Sequence, residues 1–363
     1  FMKKIFFLTL FSITLGYSQV TTLERLRELN ENPPINIILL IGDGMGLSQI
    51  SAGMYAGKNS SALEKFNVIG LQKTHSANAL VTDSAASGTA IACGKKTYNG
   101  AVGVSMARQP LKSILDICES KNYITGLIST SSIVHATPAS FYAKVISRKE
   151  YQEIALQLSE HEVDYFIGGG QKHFNKRDDK RNLLNEMEEN GYEIVASFSR
   201  FKKSESNKLG YFTYTDEPPR ALDLRKPSLE DLLSSTLEKM DTRKNPFFIM
   251  VEGSQIDWGG HGNDTDYIVS EFKDFDGAID VAFEFAKKDQ NTLVIVTADH
   301  ETGGMGINKG NIKTFRFEAQ YTTLGHTATM VPVFSYGPNS EKFSGIYENT
   351  SIFQKMLESI NGP

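Results

Sequence analysis

Three short apolar runs in the chain are each followed by residues that can bind a metal ion. The acids are Asp43, Glu252 and Asp299, and His300 follows the last of them. The runs occupy positions 37–41, 247–251 and 293–297, and their many β-branched residues are typical of buried parallel strands. Ligands bind beyond the carboxyl ends of such strands, so we predict that these side chains meet over metal ions. A lone acid could simply cap the next helix, but three such segments favour a metal site.

Ser84 is a candidate nucleophile. In segment 81–90, VTDSAASGTA, two β-type residues are followed by small residues that can start a helix. Asp83 or Ser84 would then lie at or near the helix N-cap. The free N–H groups and the positive dipole of a helix N-terminus suit a phosphate group. The alternative is that this serine only caps the helix.

Asp257 and His261 are four residues apart, which places them on one face of a helical turn. One carboxylate and two imidazoles suit zinc and leave an open coordination position. His326, within the sequence Leu-Gly-His-Thr, is the candidate for the second, remote imidazole.

A second cation could be bound by Asp43, Asp299 and His300. Two neighbouring cations can clamp a phosphoryl group from both sides. The sequence therefore makes phosphoryl chemistry plausible at this edge of the sheet.

Arg148 is a candidate phosphate ligand, because a guanidinium can grip two phosphate oxygens at once. It lies eleven residues after Thr137, in the same segment as His135 and Pro138, and Pro138 suits the first turn of a helix. The alternative is an arginine exposed on a helix surface.

The chain has 363 residues, of which 40% are hydrophobic and 22% are charged, and this length allows one large α/β domain or two modest ones. The formal net charge of −5 includes no basic excess that would indicate nucleic-acid binding. The two cysteines, Cys93 and Cys118, lie in apolar helical contexts, so that free thiols and a disulfide both stay open.

The N-terminus has the features of a secretory signal peptide. Met2, Lys3 and Lys4 precede the apolar run Ile5–Leu15, and small residues follow. We predict a signal peptide over residues 1–18 and a periplasmic or secreted location, with a buried helix as the alternative. The run is too short for a stable membrane anchor. We predict a polar linker over residues 19–34.

The remaining chain alternates between strand and helix patterns, which predicts a single α/β domain over residues 35–363, a three-layer αβα sandwich with a mostly parallel central sheet. A helix over 264–287 shows a clear apolar stripe, which we interpret as core. Residues 203–227 are polar and predict an irregular surface segment. The predicted strands are 35–41, 67–73, 124–130, 164–167, 193–196, 247–251, 292–298 and 331–336. The predicted helices are 47–56, 84–93, 111–120, 147–159, 182–190, 228–240, 264–287 and 351–360.

Taken together, these segments resemble the alkaline phosphatase family, from Ile35 to about Pro338. The matching pieces, in the order of the family, are Gly42–Gly46, Thr82–Ala85, Ala136–Ala139, Ser147–Lys149, Glu252–Asp257, Thr297–His300 and Gly325–Thr327. The resemblance implies a phosphomonoester hydrolase with broad small-molecule substrates, a phosphoserine intermediate and an alkaline pH optimum. It also leaves a homodimer possible.

The resemblance also implies a role for each candidate residue. Ser84 would be phosphorylated, and Arg148 would clamp the phosphate. One zinc would be bound by Asp257, His261 and His326, and a second zinc by Asp43, Asp299 and His300. The third site, usually magnesium, would be bound by Asp43, Thr137 and Glu252.

The chain departs from some bacterial members of the family at two positions. His135 and Trp258 stand where those members have aspartate and lysine. Imidazole favours zinc or cobalt over magnesium, and tryptophan lacks a charge that helps to hold phosphate. We hypothesise a third site that is less selective for magnesium and weaker retention of product. The 25 residues between His300 and His326 also predict a small crown insertion or none.

Two alternative functions stay open. A phosphodiesterase of the same superfamily would share the metal ligands, but it usually has a threonine nucleophile and no equivalent of Arg148. A non-catalytic phosphate- or metal-binding protein would lack a usable nucleophile, whereas Ser84 is present. The absence of a Cys/Ser-x-Pro-x-Arg pattern around Ser84 argues against a sulfatase.

Overall fold

The first strand, β1, is buried on both of its sides. Alternate residues of this strand enter two different hydrophobic cores, with Ile37, Leu39 and Ile41 in one and Ile38 and Leu40 in the other. A strand buried on both faces requires a layer of helices on each side of its sheet. The structure, a computed structural model that describes residues 36–57 and 61–361, therefore has the three-layer αβα architecture that the sequence predicts.

Fourteen strands lie within the described residues, and ten of them form one sheet. The described strands are β1 (Asn36–Gly42), β2 (Val68–Lys73), β3 (Ile124–Ser132), β4 (Tyr165–Gly169), β5 (Glu193–Val195), β6 (Leu209–Phe212), β7 (Phe247–Gly253), β8 (Thr292–Thr297), β9 (Glu301–Thr302), β10 (Gly306–Asn311), β11 (Arg316–Gln320), β12 (His326–Thr327), β13 (Val331–Tyr336) and β14 (Gly345–Glu348). Their order in the sheet is β14-β2-β13-β8-β1-β7-β3-β4-β6-β5. β13 is antiparallel to both of its neighbours, and the other adjacent pairs are parallel. The carboxyl ends of β8, β1 and β7 therefore lie side by side.

Helices pack on both faces of this sheet. The described helices are α1 (Leu47–Gly57), α2 (Ser84–Cys93), α3 (Ile114–Ser120), α4 (Ala136–Tyr142), α5 (Tyr151–Ser159), α6 (Lys172–Asn175), α7 (Leu183–Glu189), α8 (Phe198–Lys203), α9 (Leu229–Asp241), α10 (Ile256–His261), α11 (Thr265–Asp289) and α12 (Thr350–Asn361), with 3-10 turns at Ala62–Lys65, Ala221–Asp223 and Ser340–Phe343. The apolar stripe of α11 is core, as predicted, and Ile268, Phe272, Phe275 and Ile279 are buried along it.

Two predicted helix starts are wrong, because hydrogen bonds hold the chain out of the helix at these positions. The predicted helix at 111 begins at Ile114, since Ser113 and Asp116 form a capping box. The predicted helix at 147 begins at Tyr151, since the N–H of Arg148 donates to the carbonyl of Gly100 at 2.7 Å. Arg148 therefore lies in a turn before the helix.

The prediction of an irregular surface segment over 203–227 is also wrong in part. β6 lies within it, is fully buried and pairs with β4 and β5. Arg225 is buried as well, because its guanidinium donates to Glu271 and Asp274, both at 2.7 Å.

Two small sheets follow β8. The segment between His300 and His326 contains the exposed hairpin of β10 and β11. β12 pairs with β9, which sets His326 opposite Thr302. This pairing brings a residue from late in the chain to the edge of the main sheet.

The predicted signal peptide and linker lie outside the described residues. Within residues 36–57 and 61–361, no helix is both long and apolar enough to cross a membrane. Cys93 and Cys118 are both buried, and neither is in a disulfide.

His161 ties α3 to the segment that follows α5. Its Nε2 lies 3.1 Å from an Asp116 oxygen and its Nδ1 lies 3.1 Å from a Glu119 oxygen. Burial disfavours the charged imidazole, but the two carboxylates outweigh this effect and raise the pKa of His161 from 6.5 to about 9. Because both ring nitrogens are already paired with different carboxylates, we interpret this cluster as an ion-pair network.

His161→Gln should therefore change how stability depends on pH. A raised pKa in the folded state stabilises the protein fully below pH 6.5, and this contribution is lost as the pH rises through about 9. The parent should lose about 2 to 3 kcal/mol more free energy of unfolding than the variant across this range, as measured by urea titration. Parallel curves for the two proteins would contradict the role of the charged imidazole.

Candidate active site

The three acids predicted to meet at one edge of the sheet do so. Asp43 follows β1, Glu252 lies near the end of β7, and Asp299 and His300 follow β8. The N–H of Gly44 donates to Asp299 at 3.1 Å, which joins the ends of the first and last of these strands.

Gly44 allows two parts of the site to approach closely. Its φ of +73° favours glycine, and a Cβ at this position would lie only 2.7 Å from the Cα of Asp257. Any larger residue would separate Asp43 from the helix that carries Asp257.

Asp43, Asp299 and His300 form the first set of possible metal ligands. The Nε2 atom of His300 lies 3.5 Å from Oδ1 of Asp43 and 3.1 Å from Oδ2 of Asp299. These two oxygens are buried and have no hydrogen-bond partner of good geometry. Buried oxygens of this kind are costly unless a cation binds them, so the set fits a metal ion.

Asp257, His261 and His326 form the second set. The Nδ1 atom of His261 lies 2.5 Å from the carbonyl of Leu324, and Nδ1 of His326 lies 2.8 Å from the carbonyl of Thr82. Both rings therefore carry a proton on Nδ1. Their Nε2 atoms, only 3.1 Å apart, then present lone pairs to the same point beside Asp257, as metal-binding imidazoles do.

The charges of the site favour a cation. Burial, and then repulsion by Asp299 and Asp257, raise the pKa of Asp43 well above its usual value. Burial raises the pKa of Glu252 to about 8. A divalent cation would reverse both effects, because it stabilises the ionised carboxylates.

The histidines of the second set differ in their proton affinity. Burial, and then the nearby His300, lower the pKa of His326 to about 4. The hydrogen bond to Asp257 raises the pKa of His261 to about 9, so that a proton and a metal ion compete for this ring.

Ser84 lies beside the first set. It is the first residue of α2, whose N-cap is Asp83, with Oδ1 accepting from the N–H of Ala86 at 2.9 Å. Its Oγ is 3.3 Å from Nε2 of His300. The hydroxyl is thus both at the positive end of a helix and next to a candidate metal site.

Arg148 forms an ion pair with Asp83, the residue directly before Ser84. Its Nη1 atom lies 3.3 Å from Oδ2 of Asp83, and the same oxygen accepts from the N–H of Gly100 at 2.9 Å. The guanidinium is only partly buried, and its donors other than Nη1 can bind an anion.

Thr137 and Glu252 present further unpaired oxygens. Oγ1 of Thr137 and Oε1 of Glu252 are buried without a hydrogen-bond partner, while Ser254 donates to the other Glu252 oxygen at 2.6 Å. Glu252 also contributes to the raised pKa of Asp43, so these carboxyls interact. Together the three residues fit a third cation.

His135 and Trp258 are in contact next to these groups. Their ring centroids are 5.8 Å apart, and Tyr151 lies 6.4 Å from His135 on another side. Burial, and then Arg148, lower the pKa of His135 to about 4, so this ring is neutral at neutral pH.

Sequence reasoning missed the residues that support the ligands. Gln49 donates to Oε1 of the buried Glu301 at 2.7 Å, and Thr327 donates to its other oxygen. Thr302 contacts ligands of both sets. No sequence spacing identifies these supporting residues, because they come to contact the metal ligands and their neighbours only through tertiary contacts.

A helix-borne serine beside one of two neighbouring sets of metal ligands suits a metal-assisted hydrolase. The model of the family "Alkaline phosphatase" matches residues 35–320. Alkaline phosphatase 4 of Bacillus subtilis (strain 168) is 36% identical and covers 89% of this chain and 89% of its own length. The alkaline phosphatase of Escherichia coli (strain K12) is 29% identical and covers 92% and 87%. The chain therefore belongs to the alkaline phosphatase family.

Solved structures agree with this assignment. The alkaline phosphatase of the Antarctic bacterium TAB5 has 44% identity and a TM-score of 0.88, and covers 91% of this chain and 99% of its own. A mutant of that enzyme with a histidine changed to aspartate, solved with Mg bound in the M3 site, has 42% identity and a TM-score of 0.87, with coverages of 92% and 99%.

Proposed function

We propose that this chain hydrolyses small phosphate monoesters through a phosphoserine intermediate at Ser84. The observation that carries the proposal is the position of the Ser84 hydroxyl, 3.3 Å from Nε2 of His300 and at the N-terminus of α2. Membership of the family supports the same reaction. The substrates are broad in class, and specific binding of nucleic acid is not expected.

The ligand sets would hold two zinc ions and a third cation. Asp257, His261 and His326 would bind one zinc, and Asp43, Asp299 and His300 the other. When bound, the two zinc ions would stabilise the serine alkoxide and the departing oxygen of the substrate. Thr137 and Glu252, with Asp43, would bind the third cation, magnesium or in its place zinc or cobalt.

The reaction has two displacements at phosphorus. In the first, the Ser84 oxygen forms a bond to phosphorus, the bond to the substrate oxygen breaks, and the alcohol leaves with a proton. In the second, water forms the new bond, the bond to Ser84 breaks, and inorganic phosphate is released. The chain contributes by holding the serine at the positive end of α2.

Arg148 would orient the terminal phosphate oxygens. Asp83 holds the guanidinium by one nitrogen, so the remaining donors can bind two oxygens in a fixed plane. A phosphomonoester has the extra terminal charge that this arrangement matches, and a diester does not. This feature favours a monoesterase over the phosphodiesterase alternative.

His135 and Trp258 would set the properties of the third site. A neutral imidazole favours zinc or cobalt over magnesium, and an uncharged indole holds product phosphate less strongly than a lysine would. The binding of Mg in the M3 site by the histidine-to-aspartate mutant of the TAB5 enzyme supports this view. A periplasmic or secreted location and a homodimer stay predictions.

Ser84→Ala should abolish the hydrolysis of a chromogenic phosphate monoester. Loss of a covalent nucleophile should lower kcat by at least about a thousandfold. Chelation of the parent should also remove activity, and added zinc should restore it. Ser51→Ala, which changes a partly exposed serine of α1, is the control and should keep parental activity. Activity of Ser84→Ala within tenfold of the parent would exclude the phosphoserine route.

Arg148→Ala should discriminate between ester classes. Loss of a charge-assisted contact should lower kcat/KM for a monoester by about ten- to a hundredfold, with a much smaller change for a diester of the same alcohol. Arg181→Ala, which removes an arginine paired on the surface with Glu186, is the matched control. A parent that prefers the diester would instead support the phosphodiesterase function.

The double variant His135→Asp with Trp258→Lys should bind magnesium more readily and release phosphate less readily. Metal analysis after dialysis against mixed zinc and magnesium, together with the inhibition constant of inorganic phosphate, measures both effects. We expect a higher magnesium content and a lower inhibition constant. If both stay at parental values, the hypothesis on these two positions is wrong.

A further inference from the structure

Thr302 contacts one ligand of each metal-binding set. This residue is fully buried in β9. Its Oγ1 atom lies 2.5 Å from Oδ1 of Asp257 and 3.2 Å from Nδ1 of His300. The hydroxyl thus joins the two sets.

The direction of these hydrogen bonds follows from the chemistry of the partners. Asp257 binds a metal ion only as a carboxylate, and its Oδ1 lies within hydrogen-bond distance of the Thr302 hydroxyl. An ionised carboxylate can only accept, so the single proton of the Thr302 hydroxyl is donated to Asp257. The hydroxyl oxygen is then left to accept from Nδ1–H of His300.

This pattern selects the metal-binding form of His300. With its proton on Nδ1, the ring presents the lone pair of Nε2 towards Asp43, Asp299 and Ser84. The same hydroxyl fixes the orientation of the Asp257 carboxylate for the other set.

The side chain of Thr302 is itself held on several sides. A Cβ on Gly44 would lie 2.9 Å from its Oγ1, and a Cβ on Gly260 would lie 2.8 Å from its Cβ. Gln49 donates to its carbonyl at 2.7 Å, and His326 lies opposite it in the pairing of β9 with β12. The hydroxyl therefore has little freedom to leave either partner.

We propose that Thr302 is a positioning residue shared by both metal-ligand sets, whose hydroxyl orients Asp257 for one zinc ion and His300 for the other. The inference rests on the proposed two-zinc function. Removal of this one hydroxyl weakens both sites together, since each loses the group that orients a ligand.

The test is the release of zinc from the loaded, full-length protein into a chromogenic chelator of increasing concentration. Thr302→Val keeps the shape of the side chain but loses the hydroxyl. Both zinc equivalents should be released at about ten- to a hundredfold lower chelator concentration than in the parent. Thr302→Ser, which keeps the hydroxyl, should release both within about threefold of the parent.

Thr297→Val is the matched control. Thr297 is as deeply buried on β8, and its hydroxyl contacts Gln72 and the carbonyl of Pro332 but none of the metal-ligand side chains. It should leave the zinc release curve unchanged even where it lowers thermal stability. A change of equal size in this control would mean that any buried hydroxyl has the same effect, and would overturn the proposal.

Three other results are decisive. A parent that holds fewer than two zinc ions would contradict the proposed function itself. If the parent holds two zinc ions and Thr302→Val releases one or both of them at the parental chelator concentration, only the shared role of Thr302 is overturned. If Thr302→Val does not fold, Thr302→Ala takes its place. The proposal is then overturned if Thr302→Ser, which keeps the hydroxyl, releases zinc as readily as Thr302→Ala.

Discussion

Mutual repulsion of buried carboxylates is the constraint on which the site depends. Asp43, Glu252, Asp257 and Asp299 are each at most 5% exposed and lie within electrostatic reach of one another. Bringing such charges together without a compensating cation is unfavourable, because burial removes the water that would stabilise them. The unpaired oxygens of Asp43, Asp299 and Glu252 are therefore best explained as metal ligands.

The parallel sheet makes this concentration of charge possible. Because β8, β1 and β7 are neighbours, their carboxyl ends deliver ligands from three distant parts of the chain to one edge. α10 and the small β9–β12 sheet then add the second set of ligands, Asp257, His261 and His326. Stability of the large hydrophobic cores on both faces offsets the cost of assembling the site.

Much of this arrangement could be predicted from the sequence, where a local pattern determines it. α2 was predicted with both ends correct, because Asp83 caps its start and Gly94, with a φ of +67°, ends it. The strands that carry the acids can be predicted because each is a short, continuous apolar run with many β-branched residues. Asp43, Asp299 and His300 can be identified by residue type at the ends of these strands, and Asp257 and His261 by their four-residue spacing. The structure brings these residues, with His326, together in two sets.

Other features depend on tertiary contacts that no local pattern records. β6 has only four residues and contains a glycine, so its strand pattern is too short to recognise. The start of α5 is set by a hydrogen bond from Arg148 to a distant loop. Thr302 is an ordinary threonine in the sequence, and its contact with Asp257, which lies 45 residues away in the chain, exists only in the folded structure.

The most direct test of the account is anomalous X-ray diffraction at the zinc absorption edge from crystals of the active, zinc-loaded protein. A zinc peak is expected at each of the two ligand sets, one enclosed by Asp257, His261 and His326 and the other by Asp43, Asp299 and His300, with the Ser84 oxygen adjacent to the second, whatever cation occupies the third site. A fully active preparation that shows one peak or none at these residues would contradict the account.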